Sequence, residues 1–221
     1  MKAIKVVAGT AALGVSLFAS AAANSEILFD NLSAFSSGTL TALDYPAGPG
    51  PLFESFSTGS SAILVTSLSL FINATTPGDG GTFEFGVFGD SSTSPDLSSP
   101  FYISAPLPDS DLSTNLGAET FSLDISLSPD TRYWAGLVTM SGSVNWSYSS
   151  DLSGPGVASE YSADVLAGAI NVFANEDAGA AFQMEVVGTP VPEPAAWMLT
   201  LAGFGCLGLA AALHRRVASA T

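Results

Sequence analysis

Between residues 24 and 190, apolar and polar side chains alternate with a period of two, the spacing of strands rather than of helices. Thr82–Phe88 is the cleanest case, with Phe83, Phe85 and Val87 on one face and Thr82, Glu84 and Gly86 on the other. Phe121, Leu123, Ile125 and Leu127 alternate with Ser122, Asp124 and Ser126. Ile63–Ile72 is β-branched and alternates through its middle. Arg132–Met140 and Val144–Tyr148 read as a strand pair joined by Ser141-Gly142-Ser143. Ala180–Val187 closes the series with Phe182, Met184 and Val186 in step. Shorter candidate strands are Ile27–Phe29, Leu52–Phe56 and Ala169–Phe173.

The connections between these runs carry turn chemistry: Thr76-Pro77-Gly78-Asp79-Gly80-Gly81, Ser94-Pro95-Asp96, Ser128-Pro129-Asp130 and Ser153-Gly154-Pro155-Gly156. Proline presets φ, glycine supplies positive φ, and aspartate hydrogen-bonds its own backbone. Many short strands, such turns and no amphipathic helix predict an all-β fold, an antiparallel β-sandwich or jelly roll, over residues 24–190. No tandem repeat interrupts it.

Charge sharpens this picture. Five Lys and Arg face 20 Asp and Glu, a formal −15, yet charged residues are only 11% of the 221. The 47% apolar content rules out an acidic disordered tail, which needs low hydrophobicity as well as charge. The acidity also argues against a nucleic-acid partner, because phosphate binding needs clustered Lys and Arg. The basic residues sit at the ends: Lys2 and Lys5 at the start, and His214, Arg215 and Arg216 near the finish. Arg132 is the one Lys, Arg or His between them, expected to pair with a nearby acid such as Asp130.

Residues 24–194 contain no His, Cys or Lys. That removes Ser-His-Asp and Cys-His catalysis, Schiff-base chemistry and histidine-ligated metal from this region. No P-loop or dinucleotide fingerprint appears. Carboxylate chemistry remains, but no spacing singles out a glycosidase pair among so many acids. We therefore expect no catalytic residues, no metal ligands and no cofactor. The acidity leaves room only for weak calcium binding, since hard cations take carboxylate and carbonyl oxygens. Asp109-x-Asp111 and Asn175-Glu176-Asp177 are the densest clusters and are expected to be solvated loops. After Asp109, Thr114 and Thr120 stand where an EF-hand requires Gly and Glu. Tyr133, Trp134, Trp146 and Tyr148 are expected in the core rather than on a sugar-stacking surface. Asn31, Asn73 and Asn145 stand in Asn-x-Ser/Thr patterns that carry no modification signal here.

The two ends read as targeting segments. Met1–Ala23 has a positive start, an apolar run from Val6 to Ala19, and small residues at a cleavage site after Ala23, or alternatively after Ala21. It is expected to be a signal peptide, cut by signal peptidase. Ala195–Leu213 is an uncharged run of 19 residues, about 28 Å as a helix, long enough to span a hydrocarbon core about 30 Å thick. His214, Arg215 and Arg216 follow at once and mark the cytoplasmic side. Cys206 lies inside the run and is read as a small apolar residue of the span. Before the run stands Val191-Pro192-Glu193-Pro194, which its two prolines hold out of helical geometry.

A Val-Pro-Glu-Pro motif, an apolar span and a basic end together resemble the tripartite sorting signal of PEP-CTERM proteins. The match covers Val191, Pro192, Glu193 and Pro194, then 195–213, then Arg215 and Arg216, over 191–216. The resemblance implies an exported substrate of exosortase, a membrane protease of Gram-negative bacteria that make extracellular polysaccharide. No Leu-Pro-x-Thr-Gly motif points to the sortase route instead. The domain between the signals is similar to choice-of-anchor domains, most closely type R. The features that carry this are Asp30-Asn31-Leu32, Phe53 to Gly59, Ile63–Ile72, Gly80-Gly81-Thr82-Phe83, Leu127–Trp134 and Trp146-Ser147-Tyr148. That resemblance implies no activity.

The chain is thus expected to be a non-enzymatic surface or extracellular-matrix protein. It would first be held at the inner membrane, then released to the cell surface, in contact with extracellular polysaccharide of a biofilm. Two other readings stand beside it: a carbohydrate- or calcium-binding module and, more distantly, a carboxylate-dependent glycosidase.

Overall fold

The computed structural model describes residues 24–43 and 50–191. Two seven-stranded sheets face each other, and every strand pairing is antiparallel. The expected β-sandwich is the observed architecture. The strands in chain order are β1 (Glu26–Asp30), β2 (Gly38–Leu43), β3 (Leu52–Ser57), β4 (Ile63–Ala74), β5 (Thr82–Asp90), β6 (Pro95–Ile103) and β7 (Leu107–Pro108). There follow β8 (Gly117–Leu127), β9 (Arg132–Ser141), β10 (Ser143–Ser149), β11 (Tyr161–Leu166), β12 (Ala169–Ala174), β13 (Ala181–Phe182) and β14 (Met184–Pro190). A single helical turn, α1 (Asn175–Ala178), and a 3-10 turn at Asp109–Asp111 are the helical segments among the described residues.

The first sheet runs β1-β14-β4-β10-β13, with β2 joined to β10 and β8 to β4. The second runs β12-β11-β3-β9-β5-β6, with β7 joined to β5. β4 is the spine of the first sheet. β8 lies along one side of it, and β14 and then β10 share the other. At that handover stands Gln183, fully buried between β13 and β14. Its backbone N–H donates to the Ser147 carbonyl at 2.7 Å, and its carbonyl accepts from Phe71 N–H at 3.0 Å. Its side chain donates to the Asn31 and Ala34 carbonyls and accepts from the Ser147 hydroxyl. A buried amide at a break in pairing thus has every polar group satisfied, as burial requires.

Alternation places the main core between the sheets. Phe83, Phe85 and Val87 of β5 meet Leu123 and Leu127 of β8, with Leu68, Leu70, Ile72, Tyr133, Leu137, Val144 and Trp146 in the same cluster. Phe85 stacks on Phe121 with ring centres 4.0 Å apart, and Trp146 on Phe182 at 4.8 Å. The opposite face of the second sheet carries a smaller core of Phe53, Phe88, Trp134, Ala163 and Val165, with Tyr161, Ile170 and Val172 against it. The sheet therefore buries side chains on both faces. Gly136 makes this possible: a Cβ there would stand 2.7 Å from both the Phe53 and Phe88 rings.

Three expectations change. β9 and β10 do not pair with each other: β9 lies between β3 and β5 in the second sheet, and β10 belongs to the first. The chain turns the corner at Gly142, with φ 76°, and crosses between sheets rather than folding back as a hairpin. Ser94-Pro95-Asp96 is the opening of β6 and not merely a turn. β6 sits on a sheet edge, where Pro95 and Pro100 cost no ladder hydrogen bond. The run 180–187 is divided at Gln183 into β13 and β14.

Candidate functional site

The four aromatic residues singled out from the sequence are packing residues. Trp134 and Trp146 are fully buried, and Tyr133 nearly so. The Trp134 indole N–H donates to Asp90 at 2.9 Å and that of Trp146 to the Gln183 carbonyl at 2.9 Å. The Tyr133 hydroxyl accepts from Ser128 N–H at 2.9 Å. Only Tyr148 reaches a concave surface.

That surface is a cleft of about 250 Å³ at the open edge of the sandwich. Leu40, Tyr148 and Phe182 come from the first sheet, and Ser162, Asp164 and Phe173 from the second. Phe173, on the edge strand β12, is 47% exposed there. The lining is apolar and aromatic with one carboxylate, Asp164, which accepts a hydrogen bond from Asn171 at 2.7 Å. A single acid cannot supply the acid and nucleophile that glycoside hydrolysis divides between two carboxylates. The cleft presents the aromatic rings of Tyr148, Phe173 and Phe182 with a few polar side chains, Asp164, Ser162 and Tyr148.

A second constellation lies beside it, inside the molecule. Glu54 of β3 is completely buried. Its carboxylate accepts from Asn175 at 2.7 Å and from Phe182 N–H at 2.9 Å. Burial pushes its pKa well above the ordinary carboxylate range; the two hydrogen bonds oppose this, and the nearby Glu160 adds to it. Glu160, 2% exposed, accepts from the Ser55 hydroxyl at 2.5 Å and from Arg132 Nε at 2.9 Å. Arg132 therefore pairs with Glu160 and not with Asp130. The order β9-β3-β11 sets the start of β9 close to the residue before β11, 28 positions away in sequence. The guanidinium also lies 4.6 Å from the centre of the Tyr161 ring. These groups are spent on one another and brace the sandwich.

The acidic clusters divide. Asp111, Glu176 and Asp177 are exposed, as expected of solvated loops. Asp109 and Asn175 are not solvated, at 1% and 0% exposure. Each keeps one buried side-chain oxygen without a hydrogen-bond partner, Oδ2 of Asp109 and Oδ1 of Asn175. Periodicity gave no signal for them, because burial at loop positions is set by what packs over the loop. Asn31 and Asn73 are buried and hydrogen-bonded, and Asn145 donates to Asn73 Oδ1 at 3.2 Å, which ties up all three asparagines.

Val191 follows β14, with its N–H donating to the Ala62 carbonyl at 2.8 Å. Ala23, Pro192, Glu193, Pro194, Arg215 and Arg216, with the apolar spans at both ends, lie outside the described residues. Among the described residues no helix is long and apolar enough to cross a membrane, and no three His, Cys, Asp or Glu gather as a metal site.

No protein-family model and no curated protein matches the chain. Among solved structures it is similar to the cysteine protease and lectin-like domains of Cwp84, a surface layer associated protein of Clostridium difficile. The identity is 13% and the TM-score 0.43, over 69% of this chain and 36% of that one. It is also similar to the VP2 subviral particle of infectious bursal disease virus, at 10% identity and TM-score 0.29, over 84% of this chain and 46% of that one. The chain spans less than half the length of either.

Proposed function

We propose that this is an exported, non-enzymatic protein of the cell surface or extracellular matrix, sorted through Val191-Pro192-Glu193-Pro194 and the segment after it. The observation that carries the proposal is the tripartite C-terminal pattern of motif, uncharged span and basic end, joined to an N-terminal signal pattern. The position of the fold between these patterns supports it. The first strand opens at Glu26, and the last closes at Pro190. Those two strands are antiparallel neighbours, with Glu26 opposite Gly188, so the folded domain begins and ends side by side. Its partners would be signal peptidase, an exosortase-type membrane protease and extracellular polysaccharide. The cleft bordered by Tyr148 and Phe173 is the surface such a polysaccharide would meet. The non-enzymatic reading rests on residues 24–194 having no His, Cys or Lys and on the single carboxylate of that cleft.

The test is processing of the full chain in an exosortase-positive host. Replacing Pro192-Glu193-Pro194 by three alanines is expected to trap an uncut membrane form, read by mass spectrometry of membrane and extracellular fractions. Val191→Ala is expected to be processed normally, since its fold contact is a backbone hydrogen bond. A wild-type protein that keeps residues 195–213 after export would overturn the proposal.

A further inference from the structure

Three segments meet at one end of the sandwich: the loop between β4 and β5, the 3-10 turn after β7, and the corner between β9 and β10. The first contributes Asp79 and the second Asp109, thirty residues apart in sequence. The backbone knits them together. Asp109 N–H donates to the Gly81 carbonyl at 3.0 Å, and Thr82 N–H to the Ser141 hydroxyl at 3.1 Å. Gly81 and Gly142 lack side chains where the two carboxylates converge. A Cβ on Gly81 would overlap Asp109 Oδ2 and stand 3.0 Å from Asp79 Oδ1. A Cβ on Gly142 would stand 3.3 Å from each of the same two oxygens. The two carboxylates therefore border one small space.

Their donors do not account for them. Asp79 Oδ1 accepts from Gly81 N–H at 2.8 Å, and Asp109 Oδ1 has one long contact to Gly78 N–H at 3.4 Å. Asp109 Oδ2 is buried and has no partner, in a residue only 1% exposed. A buried carboxylate oxygen without a donor is costly, and a second carboxylate beside it adds repulsion. Arg132, the only cation between residues 24 and 190, is engaged with Glu160.

We infer that Asp79 and Asp109 form a calcium site, closed by carbonyls of the surrounding loops and by water. The donor chemistry selects the ion. Carboxylate, carbonyl and water oxygens suit a hard cation, and zinc or copper would want the imidazole or thiolate that this region lacks. Calcium accepts irregular coordination with 6 to 8 oxygens at about 2.4 Å, which a loop junction can supply, whereas magnesium demands near-ideal octahedral geometry. No third acid joins the pair among the described residues, so affinity falls in the weak range of extracellular modules, about 0.1 to 1 mM. The ion would pin three loops together, and the site does not depend on the sorting proposal.

Calorimetric titration of the full chain, purified in mild detergent, with calcium chloride is expected to show saturable one-site binding in that range. At 10 mM calcium the melting temperature should rise by several degrees over an equal ionic strength of sodium chloride. Asp79 is exposed, so Asp79→Asn should fold normally while weakening binding at least tenfold and losing most of the thermal shift. Asp109→Asn should do the same, and Asp124→Asn, an exposed acid of β8, should bind like wild type. No saturable binding up to 10 mM, unchanged affinity in Asp79→Asn, or an equal response to magnesium would overturn the assignment.

Discussion

Glu54 is held between the sheets with two hydrogen-bond donors and no cation, so its ionisation is linked to folding. Its pKa lies well above that of an exposed glutamate because burial disfavours the charge. In the pH window between the ordinary carboxylate value and this raised one, the folded state binds more protons than the unfolded state. Stability therefore falls as pH rises through that window and recovers on acidification. A glutamine keeps the acceptor for Phe182 N–H. Its amide nitrogen would face Asn175 Nδ2, which also donates to the Val157 carbonyl at 2.9 Å, so the contact with Asn175 is lost in the variant. Glu54→Gln is accordingly expected to be less stable than wild type at pH 5 and to flatten the dependence, so that the gap between the two narrows toward pH 8. Urea titrations of both proteins from pH 5 to pH 8 measure the difference. Comparing the two isolates Glu54 from Glu185, whose pKa is raised by burial and by Asp30. A wild-type curve parallel to that of Glu54→Gln would show that Glu54 does not titrate in this window.

At the scale of elements, the second sheet owes its double-sided packing to glycine. On β9, Tyr133, Ala135 and Leu137 enter the main core, and Trp134 enters the outer one. Gly136 is next on the outer face, where the edge-to-face pair of Phe53 and Phe88, 5.3 Å between ring centres, covers its backbone. A methyl group at 2.7 Å from both rings cannot be fitted without moving one of them. Gly136→Ala should cost about 1–3 kcal/mol, the usual range for overpacking. The check is chemical denaturation with the β-type far-UV spectrum retained. An alanine variant as stable as wild type would mean that the outer core is loose.

For the whole molecule, charge is the dominant property. Of the 20 Asp and Glu, Glu193 alone lies outside residues 24–190, so 19 acids face Arg132 there, a formal −18. Self-repulsion of that size keeps copies apart. Lowering the pH from 7 toward 4, or raising salt, weakens it, and self-association of residues 24–190 should increase under either condition. Calcium is expected to act beyond its ionic strength, because it also fills the junction of Asp79 and Asp109. Light scattering across these conditions decides it, and an unchanged particle size throughout would remove repulsion as the control.

How much of this was legible in the sequence follows from range. Alternation along β5 and β8 named the inward faces correctly, because a period of two is a property of the chain itself. The all-β class followed from those runs and from the Pro and Gly between them. β2, β11 and the edge strand β6 went unread: their sequences are polar, short or broken by proline, and they are strands because a neighbour supplies hydrogen bonds. The same limit hid the chemistry. Glu54 sits between Phe53 and Ser55 like any strand residue; burial between the sheets makes it proton-hungry, and the donors that partly offset this, Asn175 and Phe182, come from distant segments. Arg132 had Asp130 close by in sequence, yet strand order gave it Glu160. Asp109 looked like the first residue of a solvated acidic loop, and folding turned it toward Asp79. Local periodicity, turn residues and charge count were fixed by the sequence alone. Which polar groups lost their water, and which partner replaced it, was decided where distant segments met.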